Sequence, residues 1–542
     1  MKKRQVLALV LGMVMLASSV PVVAEESDVI TLTYFNADGK EEDPWTNPVA
    51  QALTEATGVK IELEFPVTTD AEAVALMIAD DEYPDLIFAK GNANDLYDAG
   101  AYIDMAPLIE EYGPNIQSMF GEELEKLKWS ADDQGIYQLS YYELGGGPMT
   151  TSGPVQIKYG AIKENNWEYP TTLEEYEAMI KAYLEAHPTT EDGQEMIGMT
   201  LSAADWHWYI TLANPAGFVA DAQPDNGQWV IDEDYNAIYK HTTEEEKEYY
   251  SWLCRMYNEG ILDQDFATQT HEDYIAKLAS GRVVAIADAE WDYQEAQTIL
   301  KGDGKYEDTF AAVPVTLNED QKSPSMMYQG MGVGWGVGIS KDCEDPVAAI
   351  KFLDYLCSEE GQILINWGVE GINYELDENG NRYRTAEEIE YSQTDSEYAK
   401  KTGVGYYVGN GWPRYSNGVN DSTGQPFTTK TRESIAAEYN VIEQEAVEAW
   451  GVELLSDIFP QADEFEIPAF APLWAYQKPT ELGDLETLIS EEIAWPMLID
   501  CVRGSVEDFE ANWQALQDEM IANGLEELEA GMTEFIAEKI GQ

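Results

Sequence analysis

The chain carries four histidines, His187, His207, His241 and His271, and none stands in the HExxH spacing of a metalloprotease. No GxSxG nucleophile elbow, no Walker A loop and no GxGxxG following a strand is present. Acyl transfer, phosphoryl transfer and dinucleotide chemistry therefore have no motif to act through. Carboxylates are abundant instead: 102 Asp and Glu against 31 Lys and Arg. Glycoside hydrolysis needs only two well-placed carboxyl groups, so a secreted glycoside hydrolase using an Asp/Glu pair is the enzymatic alternative. Cys254, Cys343, Cys357 and Cys501 form no CxxC and no Cys/His pair at zinc-like spacing. Cys254 and Cys357 lie in apolar helical patterns, WLCRMY and FLDYLC, which predicts buried free thiols. The run DENGN at 377–381 lacks the full spacing and distal Glu of a calcium loop and reads as a hairpin turn. No catalytic residue, metal or cofactor is expected.

The formal net charge of −71 excludes partners that need cationic clusters, namely nucleic acid and anionic lipid. A content of 44% hydrophobic and 11% aromatic residues excludes a disordered acidic chain. At 542 residues the protein has room for several domains or two large lobes. A neutral polar molecule is the natural ligand class.

The elements that would position a site follow a leader. Lys2, Lys3 and Arg4 precede an apolar run from Val6 to Ala17, and Val22-x-Ala24 fits the small-residue cleavage rule. Residues 1–24 are expected to be a signal peptide, leaving an exported, soluble protein that is extracellular, at the cell surface or periplasmic. ITLTYFN then reads as a strand, VAQALTEATG as a helix stopped at Gly58, KIELEF as a strand, AEAVALMIADDEY as a helix and PDLIF as a buried strand. Such β-α-β-α-β order predicts parallel strands with helices on both faces. EEYEAMIKAYLEA, EEEKEYYSWLCRMYNEG and HEDYIAKLASG are predicted helices; MIGMTLS and RVVAIAD are predicted strands. DPVAAIKFLDYLCSEEGQILINWG reads as one long amphipathic helix, and the C-terminal third as mostly helical. In MGVGWGVGIS the glycines alternate with apolar residues, the pattern of a strand pressed against other backbone.

Several stretches resemble the extracellular solute-binding proteins of ABC importers, in the carbohydrate-binding family 1 class and its long, oligosaccharide-associated Firmicutes branch. YPDLIFAKGNANDLYDAGAYIDMAPLIEEYGPN, YPTTLEEYEAMIKAY, MYNEGILDQDFATQ, KLASGRVVAIAD and EDPVAAIKFLDYLCSEEGQILINWGVEGINYELDENGN carry the likeness in order along the chain. DQGIYQLSYY matches a crossover strand, with Ser140 where Pro is usual. LASSVPVVAEES contains no lipobox Cys, so the resemblance supplies no lipid anchor here. The resemblance implies an α/β fold with two lobes of the periplasmic-binding-protein type, parallel-rich sheets flanked by helices, and hinge strands between them. The expected lobes are 25–142 with 335–400, and 143–334 with 401–542. Crossings are expected near YQLSYY, near GVGWGVGIS and once more towards the C-terminal third. The implied function is non-enzymatic: a monomer that binds a neutral oligosaccharide in the cleft and delivers it to permease subunits. A peptide or another polar solute is the other ligand class.

Aromatic rings cover the apolar faces of sugars, and Asp, Glu, Asn and Arg bind the hydroxyls. Trp291 follows RVVAIAD directly, and the resemblance to maltose-type proteins implies a stacking Trp there, with Asp288 and Glu290 as polar companions. Asn36, Asp38, Lys40 and Trp45 occupy the first strand-to-helix loop, where those proteins use an Asp-Lys pair. Asn92 and Asn94 follow PDLIF. Tyr141 and Tyr142 lie at the first crossover, where alternation sends one ring to the cleft and the other away. Asp205, Trp206 and Trp208 precede a helix in SAADWHWYI. Among Trp367, Trp412, Arg414 and Trp474 in the later half, NGWPRY favours Trp412 with Arg414.

Overall fold

The computed structural model describes residues 29–541 except 40, 41, 131, 143, 152, 191, 396, 410 and 471. The expected leader and Lys40 lie outside the described residues. The strands are β1 (Ile30–Asn36), β2 (Val59–Glu64), β3 (Leu86–Phe88), β4 (Leu139–Ser140), β5 (Gln156–Lys158), β6 (Ile197–Thr200), β7 (Trp229–Ile231), β8 (Ala237–Tyr239), β9 (Val283–Ile286), β10 (Phe310–Ala312), β11 (Gly336–Ile339), β12 (Glu375–Leu376) and β13 (Arg382–Tyr383).

Sequence periodicity explains the first of these. In β1 the residues from Leu32 onward are buried or half-buried, and β1 pairs in parallel with both β2 and β3, as the β-α-β-α-β order predicts. The intervening helix, Pro48–Thr57, opens on Asn47, whose side chain accepts the Ala50 N–H, and closes on Gly58 at φ 71°. A left-handed residue there satisfies the last carbonyls without the clash a Cβ would bring. β11 runs antiparallel to β3, and β4 beyond it runs antiparallel to β11, giving the sheet order β2-β1-β3-β11-β4. The second lobe has the order β10-β5-β9-β6, with β6 and β9 parallel and the others antiparallel. Because β6 and β9 run together, the loops leaving their carboxyl ends emerge side by side, where ligands bind in open α/β sheets.

The chain passes from the first sheet to the second between β4 and β5, and returns between β10 and β11. Residues 401–415, which the sequence division allots to the second lobe, make contacts with the first: Asn47 Nδ2 donates to Tyr407 Oη at 2.6 Å, and Trp412 lies 4.3 Å from Tyr34. The chain then reaches the second lobe, where Trp450 Nε1 donates to the Trp167 carbonyl and Lys301 meets Glu443 at 2.9 Å.

One predicted helix divides. DPVAAIKFLDYLCSEEGQILINWG forms Pro346–Leu356 and Glu359–Trp367. Ser358 interrupts it by capping the second helix, its hydroxyl accepting the Gly361 N–H. DENGN forms the expected hairpin between β12 and β13, closed by Asp377, which accepts N–H bonds from Asn379 and Asn381. All four cysteines are buried and free. Burial pushes Cys343 and Cys501 up to about 12. Among the described residues no helix is long and apolar enough to cross a membrane.

The second lobe also buries polar groups. His241 Nδ1 stands 2.5 Å from Glu246 Oε2, and its Nε2 stands 2.9 Å from Gln228 Oε1. Burial raises Glu246 to about 8, against the pull of Lys240, and lowers His241 well below its usual value. At neutral pH the neutral Glu246 O–H donates to Nδ1, and Nε2–H donates to Gln228. A carboxyl whose folded pKa is raised holds its proton in the fold after the unfolded chain has released it. Its contribution to stability is complete below about 4.5 and is lost as pH rises towards about 8. His241, held neutral in the fold, offsets this up to its unfolded value of about 6.5, so thermal midpoints should fall between about pH 6.5 and pH 8.5. Glu246→Gln should flatten that fall by removing a difference on the order of 3 kcal/mol. Circular-dichroism melts of both proteins across this range check it; parallel slopes would refute it.

Candidate ligand-binding cleft

The two sheet-to-sheet crossings bring aromatic side chains together. Tyr141 and Tyr142 leave the end of β4. Tyr141 packs edge-on to Phe88 at 5.2 Å with the Arg414 guanidinium 5.6 Å over its ring. Tyr142 does not take the opposite face that strand alternation predicts: its ring lies 4.3 Å from that of Tyr141, because the chain leaves the strand after Ser140, and it meets Trp474 at 4.9 Å and Trp335 at 6.1 Å. Trp335, just before β11, lies 5.3 Å from Trp474 and carries the Lys90 ammonium 4.9 Å above its ring. Lys90 is also paired with Asp38 at 2.8 Å. Burial raises the pKa of both tyrosines, so their hydroxyls remain neutral donors at physiological pH.

These residues border an open cleft of about 440 Å³, lined by Tyr142, Trp474 and Arg414 together with Glu290, Tyr328 and Gln329. Gln329 Oε1 is buried and has no hydrogen-bond partner. Such an acceptor costs on the order of 1–3 kcal/mol unless a ligand or water meets it. A larger recess of about 600 Å³ lies around Asp265, Asp273 and Lys277. It has no aromatic lining and draws only on the second lobe, so it cannot clasp a molecule between lobes.

Beyond Glu290, the helix Glu290–Gly302 presents Trp291, which is 58% exposed. Trp206, 53% exposed, lies parallel to it at 6.2 Å with 7° between the planes. Two large rings held parallel in solvent form an apolar platform of the kind that carbohydrate C–H faces cover. Trp206 is held from behind by His207, 3.9 Å away. Asp205 is exposed and accepts from His207 rather than capping a helix; burial opposes, but those bonds hold its carboxyl below the usual range. Asp288 is interior: it accepts the Tyr274 O–H at 2.7 Å and the Ala289 N–H at 2.7 Å. Burial, then the neighbouring Asp292 charge, pushes its pKa well above the carboxylate range.

Other predicted residues are used structurally. Trp208 is fully buried, its ring parallel to Trp495 at 5.8 Å. Trp412 is 1% exposed between Tyr34 and Phe352. Neither ring has a face left for a ligand, and Trp474, not Trp412, reaches the cleft. Trp45 is buried against Tyr407, its Nε1 donating to Thr54. The Asn36 carboxamide accepts the Asp38 N–H and closes its own turn. Asn92 donates to Asp70, and Asn94 donates to the Lys478 carbonyl, tying the first lobe to the C-terminal segment. The contributions of Trp335, Lys90, Tyr328 and Gln329 are absent from the sequence reading; the place of Trp335 amid the crossover glycines is the signal that would have found it. Among the described residues, His207, His271 and Asp292 are the group whose ligating atoms converge closely enough to hold a metal ion.

Two α/β lobes joined by crossing strands, with an open cleft between them, define a solute-binding fold. The chain belongs to the bacterial extracellular solute-binding protein family, whose model matches residues 49–368, more than half its length. That family consists of binding proteins rather than enzymes. Lipoprotein LipO of Bacillus subtilis is 22% identical over 345 residues, 61% of this chain and 64% of LipO, so the match spans less than two thirds of that relative. Among solved structures, the S. pneumoniae ABC-transporter substrate-binding protein FusA, an EF-hand mutant in complex with fructo-nystose, aligns with TM-score 0.68 at 16% identity, covering 93% of this chain and 98% of that one. An HMO-binding, ABC-transporter-associated solute-binding protein from Bifidobacterium longum infantis aligns with TM-score 0.67 at 17% identity, covering 94% and 98%. At these identities the likeness is one of fold.

Proposed function

We propose that the protein is the exported substrate-binding component of an ABC importer, monomeric, and that it binds a neutral oligosaccharide between its lobes. The observation that carries this reading is the lining of the cleft: Tyr142 and Trp474 as rings, Arg414, Glu290 and the unpaired Gln329 Oε1 as polar partners, and the exposed Trp206–Trp291 pair beside Glu290. FusA and the B. longum protein, both described with saccharide ligands, support the ligand class, and LipO supports export. A sugar touching both lobes binds the closed form more tightly than the open one, and that difference drives closure before delivery to the permease pair.

Calorimetric titration of residues 25–542 against plant, host and microbial oligosaccharides, with chromatography of each mixture, tests the proposal. Saturable binding of at least one sugar, recovered intact, is expected. Cleavage of the sugar, or saturable binding of peptides with silence across the sugars, would overturn it.

A further inference from the structure

Behind the tryptophan platform, three segments of the second lobe converge. His207 lies in the loop after β6, His271 opens the helix His271–Ala279, and Asp292 sits in the first turn of Glu290–Gly302. The two imidazoles are stacked, 4.0 Å between centroids and 4° from parallel. Each places its Nε2 near the same oxygen, Asp292 Oδ1, at 3.6 Å and 3.5 Å, and one of the stacked rings must turn for both in-plane lone pairs to meet a single ion. These separations are too long for N–H···O hydrogen bonds. They suit coordination: two donors each about 2.0–2.1 Å from a tetrahedral ion stand about 3.3–3.4 Å apart. All three ligating atoms fall within 4.8 Å of one another.

The surroundings prepare those atoms. Asp205 Oδ1 stands 2.5 Å from His207 Nδ1 and accepts its N–H, the tautomer that leaves Nε2 unprotonated and able to ligate. A carboxylate on the far nitrogen is the usual outer partner of a metal-bound imidazole. The Asp292 side chain is only 5% exposed, and it contacts Asp288, which Tyr274 and Ala289 hold in turn. His271 Nδ1 is buried without a hydrogen-bond partner.

We propose that His207, His271 and Asp292 form a binding site for one divalent transition-metal ion of the zinc class, with a remaining coordination position for water or a ligand group. Two nitrogens and one carboxylate select zinc, cobalt or nickel over calcium and magnesium, which prefer all-oxygen shells. His207 and Asp292 directly follow Trp206 and Trp291, so the ion ties together the two segments that carry the platform. This site goes beyond the proposed sugar binding and stands whether or not a sugar is the ligand.

The test uses the full mature chain, stripped with chelator, and titrated with zinc chloride by calorimetry and with cobalt(II) by visible absorption. The expected result is one zinc per chain with a dissociation constant below about 1 μM, tetrahedral cobalt bands, and quenching of tryptophan emission by cobalt. His271→Ala and the size-conserving Asp292→Asn should each weaken zinc binding at least 30-fold, while His187→Ala, at a separate exposed histidine, leaves it unchanged. Melting curves in chelator establish that the variants are folded, and His271→Gln replaces His271→Ala if that variant is not. Zinc binding no tighter than calcium binding, or unchanged in the folded variants, would overturn the proposal and mark the binding as adventitious to the acidic surface.

Discussion

Trp291→Ala is expected to weaken oligosaccharide binding roughly 10- to 30-fold, the loss of one well-placed stacking ring, while the thermal midpoint stays within about 2 °C of the parent. The two halves of that expectation have separate physical grounds. The ring is 58% exposed and its principal aromatic neighbour is Trp206, itself half in solvent, so its removal leaves no cavity in the core. Trp412, 1% exposed between Tyr34 and Phe352, provides the contrast. Its truncation should cost about 3–5 kcal/mol of stability and affect binding only through the fold. Parallel titrations and melts of the two variants check the distinction. Undiminished affinity in Trp291→Ala would remove the platform from the site and leave the Tyr142–Trp474 side of the cleft as the remaining candidate.

The second large effect falls on the crossover glycines. A Cβ on Gly334 would overlap the Ala475 carbonyl oxygen, and one on Gly336 would overlap the Leu139 carbonyl. At Gly338 the added carbon would lie 2.5 Å from the Tyr137 carbonyl, and at Gly332 it would lie 2.6 Å from the Tyr142 ring. Backbone cannot yield as a flexible side chain can. Gly334→Ala and Gly336→Ala are each expected to destabilise the protein by more than about 3 kcal/mol, the range of strongly overpacked sites. Gly302→Ala, with open space around the added carbon, should be neutral or slightly stabilising. Chemical denaturation of the three variants decides the matter. A Gly334→Ala protein as stable as Gly302→Ala would mean that the return strand does not press on the C-terminal segment.

Those glycines are legible in the sequence, because alternation with apolar residues has one simple physical cause, close backbone approach. The same holds for β1 to β3 and their helices, where period and caps agree. The residues that line the cleft and the proposed platform were legible only in part. Trp291 and Trp206 follow strands at the edge where ligands gather, and both are exposed there. Trp208 and Trp412 have similar local sequence but turn inward, because a large ring beside a helix start is drawn to whichever side offers apolar contact, and only tertiary packing fixes that side. Trp474 reaches the cleft through a segment far along the chain from β4 and β11, so its neighbours Tyr142 and Trp335 carry no local trace of it. His207, His271 and Asp292 meet because β6 and β9 are parallel neighbours, a strand order that helix and strand periodicity does not encode.

The four buried thiols make the molecule chemically quiet towards alkylating reagents. Burial raises the pKa of each of the four, and the thiolate is the reactive species. The natural chain is thus already a cysteine-silent background. A pair of surface cysteines, one on each lobe, would accept fluorophores without removing any native cysteine, and the distance between the dyes would test the proposed closure of the cleft directly, molecule by molecule.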